Sequence, residues 1–255
     1  VAATEFLLET QNLKKHFGGL KAVDGVDFRI TEGGLISIIG PNGAGKTTFF
    51  NLISGTFRPT AGKVFFRGRP VTGYPPHRLA QMGLGRSYQI TNIFPLLTVL
   101  ENVRLACQSA GEDNLKFWKH YKKFPQYEEK ALSILERVRL KGREFQPTLS
   151  LPHGDKRKLE VAIALARDPK LLLLDEPTAG ISTEELPELT NLIKDIKAEG
   201  SQTIILVEHR MDVVTEISDR ITVLNRGKIL AEGTPQEIMD NEEVQKAYLG
   251  GGGSE

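Results

Sequence analysis

The residues GPNGAGKTT at 40–48 are the ones whose types and spacing most directly specify chemistry. Gly40, Gly45, Lys46 and Thr47 satisfy Gly-x-x-x-x-Gly-Lys-Thr, with Pro41, Asn42, Gly43 and Ala44 between them and Thr48 after them. Glycines let the backbone turn sharply and bring N–H groups against phosphate oxygens. The run follows the short apolar stretch LISII (35–39) and leads into a segment of helical character, so a helix N-terminus adds a favourable dipole for an anion. Lys46 supplies positive charge for β- and γ-phosphates, and the Thr47 hydroxyl suits Mg²⁺. A plain glycine turn between strand and helix would not need Lys-Thr at this spacing.

A second constellation lies in LLLLDEP (171–177). Asp175 and Glu176 end a buried strand, the place where functional groups gather in open α/β sheets. Asp175 is suited to hold Mg²⁺ through water, and Glu176 to polarise an attacking water as general base. The alternative is an acidic pair that caps a helix; the phosphate loop in the same chain favours catalysis.

The elements that must position these groups are legible in the apolar pattern. VDFRI (26–30), LISII (35–39), KVFF (63–66), LLLLD (171–175), TIILV (203–207) and ITVLN (221–225) read as strands. Helices are expected over 98–108, over 131–140 with Leu132, Leu135 and Val138 on one face, from about Gly154 to Arg167, and over 186–198. Strand and helix alternate in the second half, which indicates an α/β fold with a parallel sheet. The block 90–160 is helical and reads as a lobe inserted into that sheet. The 255 residues suffice for one large domain with such a lobe.

Composition excludes several classes. With 33 basic and 32 acidic residues, the chain has no basic excess of the kind that marks a nucleic-acid binder. The single cysteine, Cys107, cannot make an internal disulfide and fits a reducing compartment as a buried helical residue. No apolar run approaches the roughly 20 residues that span a bilayer, and the first residues do not resemble a signal peptide. GGGGSE (250–255) reads as a flexible tail.

Taken in order from about Leu7 to Leu249, these motifs resemble the ABC ATPase family. The resemblance implies a P-loop α/β core with a central, mostly parallel sheet, an N-terminal antiparallel β region and an inserted helical lobe. It implies one ABC ATPase domain over 1–249, in which 1–89 and 161–249 form the core and 90–160 the lobe. It also implies further site residues. Phe17, in LKKHFGGLKAV (13–23), resembles the aromatic that stacks on adenine; the alternative is a core aromatic. Gln89, in GRSYQITNIF (85–94), resembles the glutamine that reaches Mg²⁺ and the attacking water. His209, in ILVEHRMD (205–212), resembles the switch histidine at the γ-phosphate. Gly154, 21 positions before Asp175, matches the second glycine of the signature segment. Around it the pattern departs from Leu-Ser-Gly-Gly-Gln: Pro152 stands at the serine, His153 at the first glycine and Asp155 at the glutamine. Ser182 stands where the following dimer-contact segment usually has aspartate.

Within that family, FGGLKAVDGVDF (17–28), GLGRSYQITNIFPLLTVLENV (83–103) and the extra helical material at 108–127 are similar to the larger ATPase subunit of branched-chain amino acid importers. The resemblance implies ATP and Mg²⁺ as cofactors, membrane permeases as partners, a second ATPase chain, with a heterodimer favoured, and indirectly a solute-binding protein. Related importers carry urea or amides. The expected location is cytoplasmic, peripheral on the inner face of the membrane. Non-transporter ABC ATPases and exporters remain alternatives; the former usually carry long coiled-coil insertions or two linked ATPase domains, neither visible here. NLKFWKHYKKFPQYEEK (114–130) reads as an amphipathic helix packed on the lobe, or else as a docking surface beside permease or lipid.

Overall fold

The computed structural model describes residues 6–87, 93–111 and 124–249. Its centre follows from runs of consecutive apolar residues. Successive side chains on a strand point to opposite faces, so such a run suits a strand covered on both sides. Leu172 and Leu174 of β7 (Leu171–Asp175), with Ile204 and Leu206 of β8 (Thr203–Val207), enter one core. Leu171, Leu173, Ile205 and Val207 enter another on the opposite face.

Among the described residues these strands belong to a six-stranded sheet of order β10-β9-β3-β8-β7-β6. Its other members are β3 (Leu35–Ile39), β6 (Leu84–Arg86), β9 (Arg220–Asn225) and β10 (Lys228–Gly233). All neighbours pair in parallel except β9 and β10, which form an antiparallel hairpin.

One face is covered by an antiparallel sheet of order β2-β1-β4-β5, made by β1 (Leu8–Phe17), β2 (Leu20–Ile30), β4 (Ala61–Phe66) and β5 (Arg69–Pro70). Helix α1 (Lys46–Ile53) is sandwiched there, with Phe49 packed edge-on against Phe28 at 5.5 Å between ring centroids. Val26, Phe28 and Ile30 are buried together, as their alternation requires. A short helix, α2 (Pro76–Gln81), follows β5.

Helices cover the other face: α3 (Val99–Ala110), α4 (Pro125–Arg137), α5 (His153–Leu165) and α6 (Leu186–Ala198). Val99, Leu135, Leu159 and Leu192 meet the sheet's leucines in one continuous core. Thr98 starts α3 by accepting the Glu101 N–H at 3.1 Å, which satisfies one of the free donors of the first turn. Cys107 is buried, and burial pushes its thiol up to about 11. In α4 the buried face is Ala131, Ile134, Leu135 and Val138, whereas Leu132 is exposed. The expected stripe was thus rotated at its first member: 131, 134, 135 and 138 follow the helical period, and 132 falls on the solvent side.

Three helices complete the C-terminal part: α7 (Met211–Ile217), α8 (Pro235–Met239) and α9 (Glu242–Leu249). They enclose a smaller cluster in which Val214, Ile238, Val244 and Tyr248 pack against Ile39, the last residue of β3.

Candidate nucleotide site

The phosphate loop leaves β3 at Gly40 and enters α1 at Lys46. Gly40 has φ 151°, and a Cβ there would lie 2.1 Å from the Leu224 carbonyl oxygen. Gly45 has φ 102°, and a Cβ there would lie 2.3 Å from the Ala22 carbonyl oxygen. Only glycine fits either corner. The loop is clamped from both sides by β2 and the β9–β10 hairpin, since the Gly227 N–H donates to Ala44 at 2.9 Å and the Asp24 N–H to Gly227 at 2.8 Å. The N–H groups of the first turn of α1, at Lys46, Thr47 and Thr48, are the ones a helix leaves free for an anion. Asn42, Gly43 and Thr47 are exposed on this rim, and Pro41 and Thr48 partly so.

Lys46 is buried and donates to the carbonyls of Gly40 at 2.7 Å and Pro41 at 3.0 Å. Burial pulls its ammonium below the usual lysine range, and the nearby Glu176 carboxylate opposes this. The two residues therefore sit close enough to feel one another's charge, although 130 positions separate them in sequence.

Asp175 and Glu176 stand where β7 ends. Asp175 is 3% exposed, and its Oδ2 accepts from Arg86 Nη2 at 3.3 Å. Its Oδ1 is buried with no hydrogen-bond partner among the described residues. Burial pushes this carboxyl up, with Arg86 acting against the shift and the Glu176 charge adding to it. Arg86 also donates to Asn51 at 2.8 Å, Ser54 at 2.5 Å and Thr56 at 3.0 Å, so it ties the carboxylate to the end of α1. Glu176 holds φ 45°, an uncommon conformation for a non-glycine residue. Its N–H donates to Val207 at 2.9 Å, which joins the ends of β7 and β8. His209, just past β8, places Nδ1 4.0 Å from Glu176 Oε1 and is more than half exposed.

Glu208, beside His209, is wholly buried and accepts from the Thr178 N–H at 3.0 Å and the Thr178 hydroxyl at 2.5 Å. It fixes the segment after Glu176. Neither Arg86 nor Glu208 was singled out in the sequence. The signal for each was only a charge flanking a strand end, since their partners are far away in the chain.

Phe17 lies at the β1 end of the β1–β2 hairpin, 45% exposed and edge-on to Phe57 at 5.7 Å. It is not a core residue. Gln89 falls outside the described residues, as do 114–123 of the amphipathic segment; Phe124 and Tyr127 at its end are buried in the helical core.

Gly154 is buried in the first turn of α5, where a Cβ would come within 3.0 Å of Glu185 Oε1. Pro152 is the N-cap and provides no side-chain cap. His153 Nε2 meets the Ala179 carbonyl at 3.2 Å, so this nitrogen carries the proton. Asp155 is engaged within the chain, with Lys158 at 2.9 Å and Arg143 at 3.3 Å.

A glycine-formed anion cradle with a lysine, an aspartate–glutamate pair at the adjacent strand end and a histidine beyond the next strand define a P-loop nucleoside triphosphatase. The comparisons narrow the class. The ABC transporter family model matches residues 23–179, and a model of the branched-chain amino acid ATP-binding cassette transporter C-terminal segment matches 228–254. The chain belongs to the ABC transporter ATP-binding family, binds ATP and is an ATPase. It is 39% identical over 251 residues to the high-affinity branched-chain amino acid transport ATP-binding protein LivG of Salmonella typhimurium, covering 96% of this chain and 98% of that protein. The corresponding protein BraF of Pseudomonas aeruginosa is 39% identical with the same coverage. A probable LivG of Archaeoglobus fulgidus is 38% identical, covering 98% and 97%. Among solved structures, an ATP-binding cassette of an ABC transporter in its ADP conformation superimposes with a TM-score of 0.85 at 31% identity, covering 96% of this chain and 99% of that one. A nucleotide-free cassette gives 0.84 at 31% identity, covering 95% and 98%. The α/β architecture expected from the sequence is the one found. No helix among the described residues is long and apolar enough to cross a membrane.

Proposed function

We propose that this chain is the ATP-hydrolysing subunit of an importer for branched-chain amino acids or a related small polar solute, bound to the cytoplasmic face of membrane permeases. The observation that carries the substrate class is near-full-length identity to such subunits, with the branched-chain amino acid transporter model matching the C-terminal segment of the same alignment.

In this reading Lys46 leaves the Gly40 and Pro41 carbonyls to neutralise the β- and γ-phosphates, while the first-turn N–H groups of α1 hold their oxygens. Glu176 orients the attacking water and accepts its proton, and His209 donates to the γ-phosphate. Phe17 offers its exposed face to the adenine. Mg²⁺ suits the site: Asp175 presents a buried carboxylate oxygen lacking a partner among the described residues, and Thr47 presents an exposed hydroxyl. With Gln89 these residues would hold the ion, which supplies charge compensation on the phosphates. Catalysis is then mostly positioning and charge stabilisation. Gly154 and the start of α5 face a partner ATPase chain, preferentially a different one, and complete the partner's site. Phe94 and Leu96, on the loop before α3, and Leu149, on a single 3-10 turn (Thr148–Ser150), are exposed, and the two segments are joined by the Leu149 N–H donating to the Pro95 carbonyl at 3.0 Å. They give the helical lobe an apolar surface suited to a permease segment. The solute-binding protein would act on the far side of the membrane.

The test is reconstitution into proteoliposomes with the neighbouring permeases, second ATPase and binding protein. ATP-driven uptake of leucine, isoleucine or valine supports the reading. Uptake of urea or amides alone would move it to a related importer, and ATP hydrolysis with no uptake would reject it.

A further inference from the structure

The backbone of Glu176, at φ 45°, stays in its uncommon conformation only because its surroundings fix it. The turn that follows does so. The Ala179 N–H donates to the Glu176 carbonyl at 3.0 Å and closes that turn. On one side Glu208 holds Thr178, in the middle of the turn. On the other side two donors from α5 converge on the Ala179 carbonyl, His153 Nε2 and Arg157 Nη2, each at 3.2 Å. Gly180 makes room for the imidazole: it has φ 75°, and a Cβ there would lie 2.9 Å from His153 Nε2. The two donors differ in their surroundings. Arg157 is buried and also donates to Glu160 at 2.9 Å, within its own helix. His153 is exposed at the first position of α5, where the family's signature segment has a glycine and so no side chain to reach the turn.

We propose that His153 is a positioning residue for Glu176: by donating from Nε2 to the Ala179 carbonyl it braces the turn from Glu176 to Ala179 and so fixes the direction of the Glu176 carboxylate. The inference rests on Glu176 being the residue that activates water. His153 touches neither nucleotide nor water in this role. It acts through Ala179, whose carbonyl takes the imidazole and whose N–H holds Glu176. With the brace removed, Lys46 and the first turn of α1 still hold the phosphates, but Glu176 spends less time aimed at the water. The loss therefore falls on kcat and not on ATP binding.

The experiment uses the full chain in the assembled complex. It compares His153→Leu, which fills the space without a donor, with His153→Gln, whose amide nitrogen reaches about as far as Nε2. Steady-state hydrolysis of Mg-ATP should show kcat about fivefold lower in His153→Leu, the scale of one net hydrogen bond, with KM for ATP unchanged. His153→Gln should keep most of the parent kcat. In a Glu176→Gln background no base remains to be aimed, so adding His153→Leu should lower the residual rate no further. An equal loss in both backgrounds would overturn the proposal, because His153 would then act without Glu176. So would a raised KM with kcat unchanged, which would place His153 on a nucleotide, and so would a lowered Tm with kcat unchanged, the signature of packing alone. Failure of His153→Gln to restore kcat would also count against it. If Glu176→Gln alone hydrolyses ATP at the parent rate, the reading of Glu176 fails and the proposal falls with it. If Glu176→Gln is inactive and His153→Leu turns over as the parent does, only the role of His153 is refuted.

Discussion

Asp175→Asn should make the nucleotide-free protein more stable and inactive. The substitution keeps the shape of the side chain and removes its charge. In the native chain one carboxylate oxygen has Arg86 at 3.3 Å, and the other is buried without a partner among the described residues. An unsatisfied buried group costs about 1–3 kcal/mol, more when charged. Weakening the contact to Arg86 returns part of that, so a net gain of about 1 kcal/mol is expected, or roughly 2–4 °C in Tm for a domain of this size. The sign with pH follows from the direction of the shift. Burial raises the native carboxyl above its unfolded value, so the folded state binds more protons and loses stability as pH rises through the native pKa. The advantage of asparagine should therefore grow as pH rises through the native pKa and shrink as pH falls below it. Thermal unfolding without nucleotide on either side of that pKa measures it, with ATP hydrolysis assayed in parallel and expected to fall roughly a hundredfold or more. A variant less stable than the parent at pH 8 would refute the reasoning, because the ion pair with Arg86 would then outweigh the desolvation of the carboxylate.

Phe17→Ala should weaken ATP and GTP binding alike, by about 1–3 kcal/mol, since stacking tolerates different bases; unchanged affinities by calorimetry would exclude the adenine-stacking role. Pro152→Ser should add a side-chain cap to α5, which now has none, and raise stability by about 1 kcal/mol in chemical denaturation. In the assembled complex the same substitution should raise ATP turnover at the partner's phosphate site; equal turnover would mean that Pro152 creates no asymmetry between the two sites.

The parts of the fold legible in the sequence were those with uninterrupted local patterns. TIILV and LLLLD are strands over the expected residues because both faces are covered, and the helix at 186–198 has the expected bounds. β1 was not distinguished as a strand. Its pairing with β2 is broken by register shifts between Thr10 and Leu13 and again near Lys15, so QNLKKH shows no clean alternation. The site divides in the same way. The glycine corners and Lys46 are encoded by close spacing. Arg86 lies 89 positions from Asp175, and Glu208 lies 30 from Thr178. Such contacts exist only once the sheet brings strand ends together. At the start of α5 both polar side chains are engaged within the chain, Asp155 with Lys158 and Arg143 and His153 with the Ala179 carbonyl.

The most direct test of the account is nucleotide retention by Glu176→Gln. If Glu176 activates water while Lys46 and the glycine loop hold the phosphates, this variant in the assembled complex should bind Mg-ATP as tightly as the parent and retain it unhydrolysed, with nucleotide-bound dimers favoured on gel filtration. Hydrolysis at the parent rate would contradict the central claim.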